Sequence, residues 1–127
     1  MVVDTSGSMS AKQIGMALGS IASYAAAKDV PFVRIIFCDA KATDAGYLAL
    51  EDIAGRVKVT GRGGTILQPG VDCLEQANDF PKDGPILIIT DGEIENDLKV
   101  RREHAFLLPR GNRLPFRARG EVFYFRE

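Results

Sequence analysis

The 127-residue chain has no tryptophan, one histidine (His104) and two cysteines, Cys38 and Cys73. A single histidine excludes a histidine-rich zinc site and weakens any Ser-His or Cys-His catalytic scheme; no HExxH is present. Two distant cysteines cannot form a disulfide framework. Cys38 follows the apolar run RIIF and Cys73 sits in an amphipathic stretch, so both are expected to pack as small apolar side chains. No apolar run approaches the roughly 18–20 residues of a membrane span. The start lacks the basic residues and long apolar stretch of a signal peptide, and an acid already stands at position 4. A cytoplasmic protein is the expectation.

What is present suits one soluble α/β domain over 1–127. Net charge is only −1, but residues 1–98 hold 8 Lys/Arg against 14 Asp/Glu, and residues 99–127 hold 8 against 3. The basic tail reads as a solvated face, or as a docking face for an acidic partner or a neighbouring domain. Without a nucleic-acid motif, it does not point to DNA or RNA.

Short apolar runs alternate with helical spacing, which predicts a doubly wound, mostly parallel sheet with helices on both faces. MVV is a strand tail ending at Asp4. Ser10 and Gln13 form a capping box, and Ile14, Ala17, Leu18, Ile21, Ala22 and Ala25 line one helical face, ending near Lys28 before Pro31. FVRIIFCD (32–39) and ATDAGYLAL (42–50) are strands. Their connection is too short for a parallel crossover, so the latter should be an antiparallel edge. GRGGT (61–65) is a loop, and Pro69 opens a helix with Val71 and Leu74 inward. PILIIT (85–90) is the central strand. A polar helix is predicted over 94–103, with Glu93 and Glu95 complementing the dipole at its start. HAFLLP and EVFYF are two more strands, joined by a basic loop with Gly111 and Pro115. The opening strand has only three residues before Asp4, which predicts a longer natural polypeptide upstream.

Two strands stop at an aspartate: MVVDTSGSMS at Asp4 and PILIITDGE at Asp91. In open α/β sheets, ligands sit beyond the carboxyl ends of the strands where strand order reverses. Asp4, Ser6, Ser8, Thr65 and Asp91 can therefore converge. All are hard oxygen donors, suited to Mg²⁺.

The motifs Asp4-Thr5-Ser6-Gly7-Ser8, Thr65 after glycines, and Asp91 in TDGE stand in the order of a known family. The chain resembles the von Willebrand factor type A (VWA) fold with its metal-ion-dependent adhesion site. GRGGT, TDGE and PFRARGEVFYF look most like bacterial VWA-like domains found C-terminal to a metallopeptidase domain and often linked to MoxR-type AAA+ ATPases. The resemblance implies a protein-binding domain, not an enzyme. Ser6, Ser8 and Thr65 would ligate Mg²⁺ (or Mn²⁺) directly, while Asp4 and Asp91 would hold its waters. A partner's Glu or Asp would take the open vertex.

One alternative is a haloacid-dehalogenase-like phosphotransferase, because DTSGS also resembles the Asp-Lys-Thr-Gly-Thr of P-type ion pumps. There Asp4 is the nucleophile, Asp91 holds the metal and Lys82 steadies charge. Against it, position 5 is Thr rather than Lys, position 6 is not Asp, and Gly63, Gly64 and Thr65 have no task.

Overall fold

The computed structural model describes residues 1–5, 10–27, 31–39, 41–49, 52–53 and 66–126, with side chains in the first helix described to residue 21. Its elements are β1 (Val2–Asp4), α1 (Ala11–Ala27), β2 (Phe32–Cys38), β3 (Ala42–Ala49), α2 (Gln68–Gln76), β4 (Ile86–Ile89), β5 (His104–Pro109) and β6 (Glu121–Phe125). The six strands form one sheet in the order β3-β2-β1-β4-β5-β6. Every neighbouring pair is parallel except β2 with β3. The result is a Rossmann-like α/β fold with one antiparallel edge strand.

Alternation along the strands assigns each residue to a face. Val3, Ile35, Ile89, Leu107 and Phe125 pack with Ile14, Ala17 and Leu18 of α1. Val2, Ile36, Ile86, Ile88, Phe106 and Leu108 pack with Val71 and Leu74 of α2. A helix thus covers each side, and burying one such Ile or Leu contributes about 1.5–3 kcal/mol. α1 opens on the predicted capping box: Gln13 N donates to Ser10 Oγ (3.1 Å) and Ser10 N to Gln13 Oε1 (3.0 Å). Pro69 lies in the first turn of α2. Cys38 is buried among these apolar residues, and burial with the nearby Asp4 carboxylate pushes its thiol up to about 12. Cys73 is half-buried against the same cluster.

Arg34 is the one buried cation of the described core. It pairs with Asp44 on β3 and with Asp79 after α2, and lies 5.5 Å from the Tyr47 ring. The Tyr47 hydroxyl donates to Asp79 O (2.6 Å). These contacts tie the antiparallel edge to the end of α2.

The polar helix expected over 94–103 does not form. The segment is irregular, with a turn at 96–97, and its backbone is claimed by α2. Lys99 N donates to Gln68 Oε1 (2.7 Å), Gln68 Nε2 to Lys99 O (2.9 Å), and Arg101 N to Glu75 Oε2 (3.0 Å). Leu98 and Val100 pack on the α2-side core. A polar segment without a continuous apolar stripe has little to gain from helix formation alone, and these tertiary bonds prevail. The 110–120 connection between β5 and β6 also carries no helix. Its Leu114, Phe116 and Ala118 instead alternate onto the same core, with Phe116 edge-on to Phe106 at 5.8 Å.

Candidate functional site

The sheet reverses its winding between β1 and β4. From β1 the chain builds outward through β2 and β3, then returns to place β4 on the other side. In open α/β sheets a reversal of this kind is where ligands sit, beyond the carboxyl ends of the two strands. Asp4 is the last residue of β1, and Thr90-Asp91 follow β4 directly. Both carboxylates are nearly inaccessible, Asp4 at 0% and Asp91 at 5% exposure.

Thr90 connects them. Its fully buried hydroxyl donates to Asp4 Oδ2 (2.8 Å) and accepts from Gly92 N (3.1 Å). One oxygen thus links the end of β1 to the turn carrying Asp91. Beyond Thr90, Asp91 Oδ1 accepts from Glu93 N (3.0 Å), and its carbonyl accepts from Asn112 Nδ2 (2.9 Å). Gly92 has φ +92°, and a Cβ there would lie 2.0 Å from Arg113 O. Only glycine makes this turn against that carbonyl. On the other flank, Thr5 anchors the exit from β1, its amide (2.7 Å) and hydroxyl (3.0 Å) both donating to Cys38 O.

The start of α2 is drawn to the same loop. Leu67, at the N-cap, makes no side-chain cap. Glu95 supplies one from a distance: Oε1 accepts from Leu67 N and Oε2 from Gln68 N, each at 2.9 Å. A carboxylate on two free helix N–H groups is favoured by hydrogen bonding and by the helix dipole. Glu95 therefore complements a helix dipole as expected, but that of α2, twenty-odd residues earlier, because no helix follows it. Ile66, just ahead of this cap, is 57% exposed.

Among the five predicted site residues, Asp4 and Asp91 are brought to one corner. Ser6, Ser8 and Thr65 lie outside the described residues. Lys82, the charge-steadying residue of the phosphotransferase alternative, sits in the turn before β4. That is the amino end of the strand, on the order of 13 Å of extended chain from its carboxyl end. Thr90, Thr5 and Asn112 were not singled out from sequence. TDGE carried the signal for Thr90, whereas the partner of Asn112 is a backbone oxygen 21 residues away.

Buried, hydrogen-bonded carboxylates with restricted orientation can accept from metal-bound water or ligate a hard cation. Among the described residues no three His, Cys, Asp or Glu side chains gather as a metal-ligating group. A site completed by hydroxyls and water needs only two such carboxylates.

Two substitutions test the corner's architecture by denaturant unfolding. Thr90→Val keeps the shape but leaves Gly92 N and Asp4 without their shared oxygen, and should cost about 1–3 kcal/mol, largely restored in Thr90→Ser. Gly92→Ala should cost about 3 kcal/mol through strained φ and the Arg113 clash. Unchanged stability in either would contradict the geometry.

No helix among the described residues is long and apolar enough to cross a membrane. The chain matches no family model, no curated protein and no solved structure.

Proposed function

We propose that the chain is a VWA-type protein-binding domain whose Asp4, Ser6, Ser8, Thr65 and Asp91 hold Mg²⁺, with Mn²⁺ able to substitute. What carries the reading is the junction of Asp4 and Asp91 through Thr90 at the carboxyl ends of the two strands flanking the winding reversal. The motif order in the sequence and the pull of Glu95 on the start of α2 toward this loop support it as well.

The donor set fits a hard dication. Neutral hydroxyls from Ser6, Ser8 and Thr65 would contact it, and the two carboxylates would orient its waters from positions set by Thr90 and by the Asp91 turn. Bound there, the ion supplies an under-neutralised positive charge to which a partner's Glu or Asp carboxylate can bind. The chain's own part is to hold Asp4 and Asp91 at the ends of two sheet strands, a placement more precise than one on loops alone. Binding rather than catalysis is the reading that the resemblance of the motif order to the VWA adhesion site supports.

A MoxR-type AAA+ ATPase is the partner that the resemblance suggests. We place the protein in the cytoplasm, consistent with Cys38 and Cys73 both being free thiols. A phosphotransferase using Asp4 as nucleophile is less well supported, because Lys82 stands at the wrong end of β4.

Calorimetric titration with MgCl₂ tests the reading. Saturable binding is expected for the unaltered chain, with Asp4→Ala and Asp91→Ala each weakening it 10–100-fold, the range for residues acting through a metal's outer shell. A flat titration in the unaltered, folded chain would refute it.

A further inference from the structure

The edge bearing Asp4 and Asp91 carries a second feature that metal binding leaves unused. Arg110, Asn112, Arg113, Tyr124 and Arg126, with Gly111, line an open groove of about 510 Å³. It lies at the carboxyl ends of β5 and β6, where Pro109 pairs with Phe125 and Arg110 N donates to Phe125 O (2.8 Å). That pairing brings Arg110 and Arg126 together, and Gly111, at φ +96°, turns the chain to bring Asn112 and Arg113 back. The groove shares a wall with the Asp91 turn, since Asn112 holds the Asp91 carbonyl and the Arg113 carbonyl packs on Gly92.

Three exposed guanidinium groups thus face one groove that, among the described residues, no acidic side chain lines. Among the described residues the ion pairs are both made by Arg34, far across the sheet. Like charges gathered without a counter-charge repel one another, and arginine is the residue best suited to bidentate carboxylate recognition. Beside the groove, Tyr124 is 54% and Phe123 50% exposed on β6. Among the described residues β6 is an edge strand, pairing only with β5, so backbone groups along its outer side can receive another extended chain.

We infer that this groove docks an acidic, extended segment of a partner protein, whose carboxylates pair with Arg110, Arg113 and Arg126 while its backbone runs along β6. As the second anchor of the partner whose carboxylate meets the metal, it rests on the metal reading above. A peptide fits better than a nucleic acid. Glu93 is exposed beside Asp91 at this edge, so a strand with a charge on every nucleotide would meet like charge next to the groove. A peptide can confine its charges to the arginines.

The test uses the 127-residue chain and a fluorescent eight-residue peptide alternating glutamate and valine, followed by anisotropy at low salt in MgCl₂ and in EDTA. Replacing Arg110, Arg113 and Arg126 together by serine should weaken binding at least tenfold in both buffers. The single variant Arg126→Ser should weaken it about threefold, which keeps the test open if the triple variant does not fold. Unchanged peptide affinity in folded arginine variants would overturn the inference, as would tighter arginine-dependent binding of a thymidine 12-mer. EDTA reports separately on the metal: affinity insensitive to chelation but lost with the arginines supports the groove while counting against the metal anchor. Affinity lost on chelation but indifferent to the arginines does the reverse.

Discussion

The hydroxyl of Thr90 joins the two central strands where they end. It donates to Asp4 at the tip of β1 and accepts from the backbone of the turn after β4, so each fixes the position of the other. This is a buried interaction, and removing it takes from Gly92 N its acceptor. Asp91, Gly92 and Asn112 take their places from that turn, and through Asn112 the basic groove is aligned with the same corner. In a sheet whose winding reverses at this point, one side-chain oxygen holds the two strand ends to each other.

Around that point the chain separates its charges. Acidic side chains prevail up to residue 98, and basic ones after it, with three arginines collected beside the Asp91 turn. Such a division steers and orients an acidic partner before contact. The two proposed anchors differ in character. A metal vertex selects a single carboxylate with strict geometry, whereas exposed arginines tolerate several spacings and respond to ionic strength. Together they allow an interface of modest area to be specific.

Where local chemistry dominates, the sequence was readable. The capping box at Ser10 and Gln13, the apolar β-branched run of β4, and the short 39–41 link that forces β3 antiparallel each involve residues near one another in the chain. The segment 94–103 was misread because its fate is decided by Gln68 and Glu75, about thirty residues away. Glu95 shows the same limit from another side: its chemistry, a carboxylate for helix N–H groups, was legible, but not which helix. At the site, Asp4 and Asp91 stood out as acids ending apolar strands. Thr90 did not, since a threonine at a strand's end is unremarkable until its hydroxyl is seen between two elements.

The central claim is that this corner, and no other part of the acidic surface, holds a divalent ion. Adding substoichiometric Mn²⁺ to ¹⁵N-labelled protein and mapping paramagnetic broadening tests it directly, because the effect falls steeply with distance from the ion. The account predicts broadening centred on the amides of Thr5, Cys38, Gly92 and Asn112, abolished by excess Mg²⁺. Broadening centred instead on the Asp72, Asp79 and Asp83 surface, or none at all, would contradict it.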